Sequence, residues 1–89
     1  MTIVINKIDT DTFSVSISSE RNSRHTVKLT NSQRDLYNLG NINKEEVIRF
    51  AFGFLLDREP NTSILPSFSI ELISNYFPDF EIKLKNYFK

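Results

Sequence analysis

From Thr12 to Ser18, TFSVSIS sets Phe13, Val15 and Ile17 against serine and threonine at alternate positions. A two-residue period sends one set of side chains to one face of an extended chain, so the stretch predicts a strand with a single buried face. HTVKLT, residues 25–30, repeats the alternation with Val27 and Leu29. The polar SERNSR between them reads as the turn of a hairpin, with Asn22 suited to its tight backbone. TIVINKI at the start predicts a third strand, although Ile3, Ile5 and Ile8 keep the period less regularly.

At Thr30 the pattern changes. In TNSQ the Thr30 hydroxyl can accept from the amide of Gln33 while the Gln33 side chain reaches back, which is a capping box. A short helix carrying Leu36 and Leu39 should follow, with Gly40 as its left-handed stop. NKEE from Asn43, with Glu46 in the reciprocal position, predicts a second capped helix running to about Arg58 and halted by Pro60. Between Val47 and Leu56 apolar groups cover roughly two-thirds of the helical circumference, far more than the stripe of an ordinary surface helix. The rest is a narrow seam of Glu46, Arg49, Gly53 and Asp57. A glycine there costs about 1 kcal/mol relative to alanine. It is either a tolerated surface residue or the mark of a close approach by another element or subunit.

Beyond this helix, PNTSILPSF reads as a loop tucking Ile64, Leu65 and Phe68 inward, with Arg58 bonded to its carbonyls. Ser69 should cap IELISNYF, where Ile70, Ile73 and Phe77 share a face with Leu72 and Tyr76 beside them. The last segment, PDFEIKLKNYFK, fits two templates. Phe80, Ile82 and Leu84 alternate like a strand, whereas Phe80, Leu84, Tyr87 and Phe88 recur at helical spacing. Pro78 at a first helical position and the Glu81–Lys85 pair favour the helix. The expected class is α+β: an N-terminal antiparallel β-hairpin or three-stranded meander, then three to four helices packed around a central apolar helix. The 89 residues predict a single domain, β-rich over 1–30 and helical over 31–89.

Composition narrows the chemistry. There is no cysteine, so disulfides and thiolate metal sites are excluded, and a zinc site would need carboxylates beside the single histidine, His25. Eleven basic residues balance eleven acidic ones, so no whole-protein field draws in nucleic acid or an anionic membrane. MTIVINKIDTDTF lacks the basic start and apolar run of a signal peptide, and no apolar stretch approaches the ~20 residues that span a bilayer. A cytoplasmic location is the expectation. His25 alternates onto the inward side of its strand, where a lone histidine serves packing more often than proton transfer. DTDT at Asp9–Thr12 could catch a cation, but it lacks the glycine and distal glutamate of a calcium loop. With only Gly40 and Gly53, no phosphate-cradling loop exists. The residues therefore predict no catalytic, cofactor or metal site and no small-molecule ligand. Eight phenylalanines in so short a chain exceed what a small interior readily absorbs. The surplus points to a non-enzymatic binding or assembly protein that contacts a homodimer mate or another protein.

Two resemblances add to this reading. Phe54-Leu55-Leu56, Arg58-Glu59-Pro60, Ser63-Ile64-Leu65, Phe68, Ile73 and Tyr76-Phe77-Pro78 resemble a pattern in a group of small prokaryotic proteins of unknown function, which implies a shared fold and no particular activity. RHTVKLTNSQRDLYNLGNINKEEVIRFA looks like the ribbon-helix-helix of small DNA-binding repressors and antitoxins. That likeness implies a strand whose outward Arg24, Thr26 and Lys28 read base edges in the major groove. It also implies that Asn43, opening the second helix, offers backbone amides to a phosphate. DNA binding is thus the alternative reading, not the favoured one.

Overall fold

The computed structural model describes residues 1–88; Lys89, the last residue of the segment read as a terminal helix, lies outside the described residues. The architecture is α+β, with a four-stranded sheet and four helices. Strands β1 (Thr2–Lys7), β2 (Thr12–Ser18) and β3 (Ser23–Lys28) pair antiparallel in chain order. Val15 stands opposite both Ile5 and His25, and Phe13 opposite Val27. This register lines up Ile5, Phe13, Val15, Ile17 and Val27 on one buried face. Thr26 and Lys28 take the other face, as the alternation requires.

The fourth strand departs from expectation. The pattern predicts a loop through Phe68 and a helix cap at Ser69, yet β4 (Ser67–Ser69) runs parallel to β3, with Phe68 beside Val27. Thr26 N donates to the Pro66 carbonyl at 2.8 Å, and Ile70 N donates to the Lys28 carbonyl at 3.0 Å, bracketing the short ladder. Three residues containing one phenylalanine are too few to display a period, so the strand exists because β3 offers an edge. The division into a β-rich 1–30 and a helical 31–89 is corrected to that extent.

Two of the helices begin on side-chain caps, and several helix boundaries differ from expectation. Helix α1 (Asn31–Leu36) opens on the full capping box, Thr30 Oγ1 accepting from Gln33 N at 3.1 Å and Gln33 Oε1 accepting from Thr30 N at 3.2 Å. It is shorter than expected: Leu36 is 74 % exposed while Tyr37 and Leu39, beyond its end, are buried. Asn38, not Gly40, is the first left-handed residue after it, at φ 57°, and Gly40 follows at φ 61°. Helix α2 (Lys44–Leu56) is capped by Asn43, whose side chain accepts from Glu45 N at 2.8 Å; Glu46 does not reach back, so no second box forms. Ser69 lies in β4 and caps nothing, and helix α3 (Leu72–Tyr76) starts after Glu71 without a side-chain cap. The terminal segment is helical: α4 (Phe80–Tyr87) follows Asp79 at its N-cap, which leaves Pro78 outside the helix.

Helix α2 lies on the apolar face of the sheet and buries Val47, Ile48, Ala51 and Phe52 completely. The Phe52 ring meets His25 from β3 at 5.5 Å between centroids and Phe68 from β4 at 5.9 Å. On the other flank Phe54 meets Phe80 of α4 at 5.1 Å and Phe77 at 5.9 Å. Lys44 is largely buried because its ammonium donates to the Thr10 carbonyl and to Asp11, both at 3.0 Å, pinning the start of α2 to the β1–β2 turn. Among the described residues, no helix is long and apolar enough to cross a membrane.

Candidate functional site

Three places in the fold gather polar chemistry. The first centres on His25, which is only 2 % exposed. Its Nδ1 lies 2.7 Å from the Leu65 carbonyl, which can only accept, so Nδ1 is the donor. Nε2 lies 2.9 Å from the Ser23 hydroxyl, and Ser23 Oγ accepts from Asn61 Nδ2 at 2.8 Å. Asn61 also donates to the Arg21 carbonyl at 2.9 Å. Ser23 and His25 stand at the spacing of a nucleophile and its base. Every one of these polar atoms is nonetheless engaged by the fold, tying the β2–β3 turn to the loop before β4. Asn61→Ala should lower stability by about 0.5–1.5 kcal/mol, since it removes two hydrogen bonds to partly buried acceptors. Urea denaturation measures this, and an unchanged midpoint would mean water replaces the amide at no cost.

The second is the DTDT turn. Asp9 Oδ1 accepts from the amides of Asp11 at 3.0 Å and Thr12 at 2.9 Å. These backbone bonds, that from Asp11 foremost, hold its carboxyl below the usual range. Asp11 pairs with Lys44. Both carboxylates therefore close the hairpin, and the described residues contain no cluster of three potential metal ligands.

The residues of the DNA-binding alternative are placed as follows. Arg24, Thr26 and Lys28 form an exposed row on the outer face of β3, while Asn43 opens α2, which packs against the opposite face of the sheet. A ribbon-helix-helix dimer pairs this strand with its copy in a second chain. Here β3 is hydrogen-bonded to β2 on one edge and β4 on the other, so neither edge is open to such a partner.

The third place is the seam of α2. Glu46, Arg49, Gly53 and Asp57 are all exposed, and among the described residues none of these three charges has an ion-pair partner. With α4 the seam forms a groove of about 820 Å³. Its wall is aromatic: Phe50 meets Tyr87 at 4.8 Å, Tyr87 meets Phe88 at 4.9 Å, and Tyr87 is 68 % exposed. Arg58 closes one end. Its guanidinium lies 3.5 Å above the Phe54 ring and donates to the Phe54 carbonyl and to Asp79, each at 3.0 Å, rather than to the carbonyls of residues 61–65 as expected. Seen from the sequence the seam was visible, but its aromatic wall was not, because that wall depends on how α4 lies across α2.

A smaller cleft of about 230 Å³ opens on the far side, where Leu55, Ile64, Phe68, Ile73 and Phe77 converge. Glu59, Ser63, Leu65, Leu72 and Tyr76 complete its lining. The chain matches no protein-family model, no curated protein and no solved structure.

Proposed function

We propose that this is a small non-enzymatic binding and assembly protein of the cytoplasm, acting through protein–protein contacts at the α2–α4 groove. One observation carries the reading: three unpaired charges and a glycine share an exposed stripe beside an aromatic wall in which Tyr87 is exposed. Aromatic side chains and arginine are the residues enriched where proteins meet, and they contribute most when a partner covers them. In this reading α2 is the hub of the fold. The N-terminal meander takes one side of it, the C-terminal helices a second, and the partner the third. The kinship suggested by the second half of the chain adds a fold and no activity. DNA contact by Arg24, Thr26 and Lys28 stays the lesser reading, because the charge is balanced and phosphate contacts dominate DNA affinity.

The test is a photo-crosslinking residue at Tyr87, with the same residue at Thr26, on the outer sheet face, as control. The expected result is a discrete protein adduct from position 87 in cells and none from position 26. No adduct at 87, or equal labelling at both, would contradict the groove as the contact surface.

A further inference from the structure

We infer that the groove receives a second copy of this chain, docked antiparallel about a two-fold axis at Gly53. This rests on the reading of the groove as a contact surface and names its occupant. Gly53 sits in the middle of a helix, where glycine weakens the backbone. Neither of the usual intramolecular reasons for it holds. Its φ is not positive, and a Cβ built there would meet no heavy atom within 4 Å. Nothing in its own chain needs the space. A small residue on an exposed helix stripe lets another backbone come close, so the space fits something outside the chain.

Charge chooses the occupant. Arg49 lies one helical turn before Gly53 and Asp57 one turn after, on the same stripe. Turning a second α2 end for end over Gly53 sets Arg49 against the partner's Asp57, and Asp57 against the partner's Arg49. One symmetric contact thereby neutralises four charges, Arg49 and Asp57 of each chain, that are unpaired in the separate chains. Such self-complementarity is what an isologous interface requires. Parallel docking in register would instead oppose like charges. The exposed Tyr87, beside Phe50 and Phe88, supplies apolar surface along the same groove. Arg49 and Asp57 thus invert in sign about Gly53, while Glu46, nearer the helix start, has the uncharged Pro60 at its mirrored position.

The experiment uses charge reversal at these exposed positions. Arg49→Asp alone opposes acidic to acidic, and Asp57→Arg alone opposes basic to basic. Each should weaken self-association by about tenfold or more, as like charges across an interface do. Mixing the two variants restores both ion pairs, so sedimentation velocity should show a mixed dimer where each variant alone is monomeric. The double variant, Arg49→Asp with Asp57→Arg, should dimerise like the wild type. Gly53→Leu should abolish the dimer, whereas Gly53→Ala, which favours the helix, keeps the single chain folded and weakens pairing. If the variants dimerise as well as the wild type, or if mixing restores nothing, the two-fold register is overturned. If the wild type is monomeric and the Tyr87 adduct contains a different protein, the second copy is overturned while the groove reading survives. No Tyr87 adduct at all removes the groove reading itself.

Discussion

Replacing Phe52 by alanine should lower the free energy of unfolding by about 3–5 kcal/mol. Its side chain is fully buried, and its ring lies between His25 of β3 and Phe68 of β4. It therefore holds together α2 and two strands that are far apart in sequence. Truncation removes the transfer energy of the ring and leaves a void that His25 cannot move to fill, because both its ring nitrogens are hydrogen-bonded. Small domains hold only about 5–15 kcal/mol in total, so this loss is a large share of the stability. Urea denaturation at fixed protein concentration measures it. A loss below about 0.5 kcal/mol, the range of surface substitutions, would show that α2 does not close on the sheet as described.

Phe80→Ala should cost a similar amount, about 3–5 kcal/mol, through a different part of the core. Phe80 is also fully buried, and it meets Phe54 at 5.1 Å, Phe50 at 6.3 Å and Tyr37 edge-on at 6.4 Å. It joins α4 to α2 and to the turn after α1. Because Phe50 rests on Phe80 and also on Tyr87, the change should disturb the groove wall as well as the core. The expected result is a lowered urea midpoint together with reduced crosslinking from Tyr87 under conditions where the chain remains folded. A stable variant with full crosslinking would mean that α4 is not anchored through this ring.

Where a signal was local, the sequence was readable. The alternation in β2 and β3 needs only consecutive residues, and so does the Thr30–Gln33 box; both are present in the structure. The terminal segment showed two periods, and the favourable Glu81–Lys85 pair, 3.3 Å apart, stands in the helical register. Non-local features were hidden. Strand β4 depends on an edge offered by residues about forty positions earlier, and its ladder carries one apolar side chain. The Asn61–Ser23–His25–Leu65 chain of bonds likewise joins distant segments, so no spacing rule could find it. The pattern places Leu36 and Leu39 together on one short helix. Instead α1 ends after one and a half turns and the chain turns at left-handed Asn38, which buries Tyr37 in its place. Of the candidate site, the charged seam could be read on a helical wheel. What it faces could not, since that depends on how α4 lies across α2.

The proposed pairing requires the α2 stripe centred on Gly53 to meet a second chain. Sedimentation equilibrium of the wild-type protein, run over a concentration series up to about 100 μM (a range that captures even weak specific dimers), tests this most directly. The account predicts a mass rising to that of two chains and staying there. A mass that remains that of one chain across the whole series would contradict it.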